Sequence, residues 1–169
     1  MKLIIIKLFT SNVFVRVYGG FSHLCSYMLW LLSLTRTRCI FPNSRGLMLD
    51  LTVDVKYSKN ITFGSNVVVG KNCLLGAMAT IKIGDYVRMS KGVTVETATL
   101  DIRGVLPYKH KASPIVIGDG VWLGTDCIVL GGVNIGENSV IGAGVVVARD
   151  VPPNSVVVNQ PARIIERLK

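Results

Sequence analysis

Only two histidines occur in this 169-residue chain, and one of them, His110, stands in a short stretch with Arg103, Tyr108, Lys109 and Lys111. An imidazole titrates close to neutral pH, so it can take a proton from a group that is becoming a nucleophile, and neighbouring donors can hold a developing negative charge. The other, His23, lies in an apolar amino-terminal stretch and reads as a capping or packing residue. Cys25, Cys39, Cys73 and Cys127 contain no CxxC pair and no histidine at zinc-site spacing, so they read as reduced packing residues. Two histidines are too few for a three-histidine metal centre, and no metal is expected.

The histidine-bearing stretch, DIRGVLPYKHKASPIV at 101–116, interrupts a regular beat. From Ile117 an aliphatic residue recurs at every sixth position (Leu123, Val129, Ile135, Ile141, Val147), each followed four places later by a small or β-branched one (Val121, Cys127, Val133, Ser139, Val145, Val151). The beat also runs through Phe63, Val69 and Leu75, with Val67, Cys73 and Ala79, and through Ile83, Met89 and Val95, with Val87, Val93 and Thr99. A helix would walk a six-residue period around its surface, and a simple strand would need apolar residues at every other place. A fixed short period instead marks a solenoid. Short flat strands joined by corners fit it, with Gly, Asn or Asp supplying positive φ. Three sides make a coil of 18 residues, and coils stack at roughly 4.8 Å, which predicts about five coils between Leu51 and Pro152. A loop thrown out from so rigid a frame is a common place for function.

The runs IGDGVWLG, IGENSVIGAGVVVARDVPPNSVVV and QPARII resemble the hexapeptide-repeat acyltransferases, in the branch that acetylates sugars and bacterial surface polysaccharides. The likeness covers about residues 50–169. It implies an all-β, left-handed parallel β-helix, in which handedness follows from the resemblance and not from the period. It also implies acetyl-CoA as acyl donor, a saccharide acceptor and a homotrimer whose donor site lies between subunits. Such enzymes place a catalytic histidine at the end of the coil before the excursion, near residues 96–101. Here that window reads Glu96, Thr97, Ala98, Thr99, Leu100, Asp101. Three alternatives follow: His110 serves as base from the excursion, Glu96 or Asp101 acts as base or orienting carboxylate, or the protein binds without turnover. An amino-sugar N-acetyltransferase is a close variant of the enzymatic reading.

Matched motif by motif, the resemblance assigns the CoA-binding role to Gly124 and Thr125, Gly142 and Ala143, Ala148 and Arg149, and Arg163. Arginine suits phosphate because its planar fork donates in pairs. Asn159 stands where the family has glycine, and Glu166 where some relatives are basic. Trp122 lies between the inward residues Val121 and Leu123, so alternation turns it outward, toward a subunit contact or CoA.

The division expected is a mainly helical segment at 1–49, a β-helix at 50–152 with the loop 101–116, and a carboxyl-terminal extension at 153–169. The chain carries a formal charge of +9, and Lys2, Lys7, Arg16, Arg36, Arg38 and Arg45 precede its first acid, Asp50. The apolar run Phe21 to Leu34 is shorter than the roughly 20 residues a spanning helix needs. No small-residue cleavage site follows the first apolar residues, so a signal peptide is not expected. Residues 1–41 are therefore expected to form an amphipathic helix that caps the first coil or lies on a membrane surface. Nucleic-acid binding is not expected, because the cations are not interleaved with aromatics along a stripe. Reduced cysteines and the need for acetyl-CoA point to the cytoplasm, with the inner membrane face as a peripheral site.

Overall fold

A computed structural model describes residues 12–158 and 163–167, with side chains placed for 20–158. After helix α1 (Asn12–Ile40), the chain winds as a left-handed parallel β-helix of about six turns, one more than the hexads predict. The first face holds β1 (Met48–Leu49), β4 (Val68–Val69), β7 (Arg88–Met89), β12 (Trp122–Leu123), β15 (Val140–Ile141) and β17 (Ser155–Val158) in parallel. Strand β18 (Arg163–Arg167) then turns back antiparallel on β17. The second face stacks β2 (Asp54–Lys56), β5 (Leu74–Gly76), β8 (Thr94–Glu96), β13 (Ile128–Leu130) and β16 (Val146–Val147). The third stacks β3 (Ile61–Phe63), β6 (Ile81–Ile83), β11 (Ile115–Ile117) and β14 (Asn134–Ile135).

Inward positions form columns down the prism. Leu75, Val95 and Val129 line one face, and Cys73, Val93, Cys127 and Val145 fill the corner before it, all buried. The fourth hexad position takes the left-handed conformation, as at Asn72 (φ 56), Gly92 (φ 74), Asp126 (φ 56) and Gly144 (φ 67). The glycine at the second position has a different cause. At Gly124 an added Cβ would lie 2.7 Å from both the Ala143 amide nitrogen and the Ile141 oxygen of the next coil. Close approach of backbone, not positive φ, requires it.

The coil is not uniformly 18 residues. Partners on the first face are 20 residues apart at Leu49 with Val69 and at Val69 with Met89, and 18 apart at Leu123 with Ile141. The early coils carry two extra residues at the corner between the second and third faces. Ala77 and Thr97 are the buried residues there, whereas Ala79 is half-buried and Thr99 exposed, so the inward placement that the beat gives those two does not hold. The excursion also departs from a plain loop at 101–116. β9 (Ala98–Leu100) and β10 (His110–Ala112) form a two-stranded antiparallel ribbon, and Ile115 is already back on the third face.

The final turns of α1 close the first coil. Arg36 donates from Nη1 to the Leu51 and Asp50 carbonyls (2.9 and 3.3 Å) and from Nη2 to Val53 (2.7 Å). Ser33 Oγ donates to the Leu49 oxygen, and the Leu49 amide donates to Thr37 Oγ1 at 3.3 Å. Arg36 is thus committed to carbonyls that would otherwise end the ladder, and it is not a cation available to an outside partner. His23 lies exposed on α1 and neither caps nor packs. No helix among the described residues is long and apolar enough to cross a membrane.

Arg36→Ala leaves these carbonyls without the guanidinium, and is expected to cost about 1–3 kcal/mol of stability in a denaturant titration. Cys25 and Cys39 are exposed, Cys73 and Cys127 are buried, and all four are free. Burial pushes the Cys127 thiol up to about 12. A thiol reagent at pH 8 should therefore label Cys25 and Cys39 in the native protein and the other two only on unfolding. Because the folded value is raised, its stabilising effect is complete below the ordinary thiol value near 9.0 and is lost as pH climbs toward about 12. A falling melting temperature across that window is the check.

Candidate active site

Strand β8 runs through Thr97 into β9 with its alternation intact. Val95 and Thr97 are buried, while Glu96 and Ala98 lie half-buried on the outer side and Leu100 is exposed. Across the ribbon His110 pairs with Leu100, Lys111 with Thr99, and Ala112 with Ala98. Directly opposed residues share a face of an antiparallel pair. His110 therefore stands on the face of Leu100, Ala98 and Glu96, and Thr99 and Lys111 are on the other. Leu100 lies within the window where the resemblance expects a histidine, so the imidazole reaches that place from the second strand of the ribbon.

The two carboxylates part company here. Asp101 belongs to the Lys111 side, with its Oδ1 3.8 Å from Lys111 Nζ and its amide donating to the Lys109 carbonyl at 2.9 Å. Glu96 lies on the His110 side. Its Oε1 accepts from the Ala98 amide at 2.9 Å, and a Cβ on Gly76 would collide with its carboxylate. Gly76 thus leaves the space in which that carboxylate rests at the root of the ribbon.

Thr97 is a residue that the sequence pattern does not single out. It is fully buried at the point where the ribbon leaves the coil. Its Oγ1 donates to the Gly76 oxygen (2.8 Å) and accepts from the Ala79 amide (3.0 Å). Its own amide donates to the same Gly76 oxygen (3.0 Å), and its carbonyl accepts from the Ser113 amide (3.1 Å). One side chain and its backbone therefore tie the outgoing strand, the returning strand and the preceding coil together. No signal in the beat marks it, because Thr99 two residues later fits the sequence pattern.

The residues assigned to the acyl carrier border the same second face. Gly124 and Thr125 lie at the corner leading into it, stacked on Gly142 and Ala143, with Gly124 donating to the Ile141 oxygen (2.7 Å) and Gly144 to the Thr125 oxygen (2.8 Å). Thr125 and Ala143 are exposed. Ala148 and Arg149 follow β16 at the corner leading out, also exposed. Arg163 opens β18, and its side chain lies outside the described residues, as does Asn159 altogether. Lys71 and Lys91 share the incoming corner, since Gly92 donates to the Lys71 oxygen and Asp126 to the Lys91 oxygen. They are exposed cations on the same edge, a placement that only the stacking reveals. Trp122 is 54% exposed on the adjoining face, with Nε1 donating to Ser90 Oγ at 3.1 Å. A separate cleft of about 310 Å³ beside Phe41 and Phe63 contains none of these groups.

With this geometry in hand, the likeness to known proteins is specific. Residues 114–149 match the family described as bacterial transferase hexapeptide (six repeats), and residues 64–96 the hexapeptide repeat of succinyl-transferase. A maltose O-acetyltransferase from Clostridium difficile superposes with a TM-score of 0.69 at 34% identity, over 75% of this chain and 68% of that one. A hexapeptide-repeat acetyltransferase from Vibrio cholerae, VCA0836, solved with acetyl-CoA, gives 0.75 at 28% identity over 95% and 92% of the two chains. By sequence, a Schizosaccharomyces pombe protein provisionally named an acetyltransferase is 38% identical over 132 residues, 77% of this chain and 64% of that protein. The chain spans about three fifths of the length of such relatives. It belongs to the hexapeptide-repeat acyltransferase family.

Thr97→Val keeps the shape and removes the hydroxyl bonds. It is expected to lower protection of the Ser113 and Asp101 amides in hydrogen exchange by about 1–3 kcal/mol while amides of β12 and β15 hold. Thr97→Ser should restore it.

Proposed function

We propose that this protein transfers the acetyl group of acetyl-CoA to a sugar hydroxyl, with His110 as general base. The observation that carries this is the register of His110 against Leu100, which brings the nearest histidine into the window where the family has its own. His110 takes the hydroxyl proton as the oxygen attacks the thioester carbonyl, and returns it to the departing thiolate when the tetrahedral adduct collapses. Glu96, on the same face, holds the root of the ribbon through the Ala98 amide. Asp101 is already paired with Lys111 and holds the ribbon's far side.

The donor site fits the residues present. Thr125 and Ala143 are small exposed residues at the corner along which a pantetheine arm would lie, and exposed Arg149, with Arg163, supplies charge for phosphate. The reading rests on similar proteins as well, since both a maltose O-acetyltransferase and a galactoside acetyltransferase bound to coenzyme A share the fold. As finer terms we infer a bacterial surface polysaccharide or its precursor as acceptor, a cytoplasmic location where acetyl-CoA is available, and a homotrimer. Exposed Trp122 beside the donor corner supports the last of these.

His110→Ala should lower thiol release from acetyl-CoA by about two orders of magnitude or more with a panel of sugar acceptors. Unchanged turnover removes the assignment, and CoA binding without release in the wild type favours a noncatalytic scaffold. Light scattering should give three times the chain mass; a monomer would dismiss a donor site between subunits.

A further inference from the structure

We propose that the outward face of α1 between Phe21 and Leu32 docks on an anionic lipid surface. The helix meets the first coil through Ser33, Arg36, Thr37 and Ile40. At 100° per residue, the positions on the opposite side are Phe21, Leu24, Met28, Leu31 and Leu32. They are 63%, 58%, 52%, 37% and 54% exposed. Spacings of three and four residues join them into one stripe, and Tyr27, Leu29 and Trp30 outside it are exposed as well, at 56%, 55% and 45%. Nothing among the described residues covers the stripe, because the coil contacts lie on the other side and one to three turns further along.

Charge decides among possible occupants. Arg38, exposed, continues the same stripe, and Arg45 is exposed just beyond the helix. Before Asp50 the chain has six cations and no acid; among the described side chains Arg36 is committed to the coil carbonyls, while Arg38 and Arg45 are exposed. A second copy of this helix would set like charges against like with no carboxylate to relieve them. An anionic bilayer accepts the apolar stripe among its acyl chains and draws the arginines to its headgroups. No helix among the described residues is long and apolar enough to span, so this one lies in the interface plane.

Removal of residues 1–40 would also strip Ser33, Arg36 and Thr37 from the first coil, so it cannot separate docking from folding. The test uses the full chain carrying Leu24→Ser, Met28→Ser and Leu31→Ser together, in co-sedimentation with phosphatidylcholine vesicles with and without phosphatidylglycerol. Wild type should pellet with the anionic vesicles about tenfold more than with pure phosphatidylcholine, less so at high salt, and the triple variant should stay in the supernatant. Light scattering and melting temperature of the variant should match wild type. Wild type remaining in solution with both vesicle types overturns the proposal. So does equal pelleting with both, or a variant that pellets like wild type. A variant that loses oligomeric state while wild type ignores vesicles gives the stripe to a second copy and equally overturns it. Acetyl transfer is not read in this experiment, so its outcome is independent of the assignment of His110.

Discussion

The structure depends on one ladder: the amide of a residue in each coil donates to the carbonyl one coil away, at the same corner and on the same face. On the first face Val68 donates to Val87 (3.0 Å), Arg88 to Val121 (2.9 Å) and Trp122 to Ser139 (2.9 Å). Parallel strands of two or three residues cannot stand alone, so the ladder holds only if every coil closes at the same height. This requirement sets the left-handed residue at most fourth positions and the bare glycine at most second ones. It also decides what an insertion can do. Additional residues must leave the ladder without breaking it, and the ribbon of β9 and β10 does so by pairing its backbone with itself.

Energetically the aliphatic columns outweigh the surface charges. Full burial of a side chain such as Leu75 or Ile141 contributes about 1.5–3 kcal/mol. The exposed pairs Lys56 with Asp54 and Lys111 with Asp101, at 3.9 and 3.8 Å, contribute at most about 1 kcal/mol each. The second of these matters for placement more than for stability, since it occupies Asp101 on the side of the ribbon away from His110. The start of the solenoid is a different problem, because carbonyls of its first coil have no preceding coil to donate to them. Arg36 meets three of them with one guanidinium.

The ribbon ties fold to function. A rigid scaffold fixes its two roots at Thr97 and Ser113, and cross-strand pairing fixes His110 to Ala112 against Ala98 to Leu100, so His110 is held in register with the coil below it. Glu96 and Gly76 belong to the same arrangement, one supplying a carboxylate and the other the space for it. Gly124, Thr125, Ala148 and Arg149 flank the face from which the ribbon springs, so they and His110 share one side of the prism.

The six-residue beat was enough to establish a stacked, three-sided coil with Cys73 and Cys127 inward, because that pattern is local and each hexad repeats the same steric demand. Motif spacing likewise placed Gly124, Gly142 and Arg149 at corners. The two-residue enlargement at Ala77 and Thr97 escaped it, since a beat that resumes after a skip says nothing of how the skipped residues fold. Which carboxylate shares a face with His110 was also beyond a linear pattern: Glu96, fourteen residues away, comes onto that face and Asp101, nine away, does not, through the cross-strand register alone, and register is a property of paired strands. The roles of Thr97 and Arg36 were settled in the same way. Each satisfies backbone groups distant in sequence, and those groups acquire positions only when the coils stack.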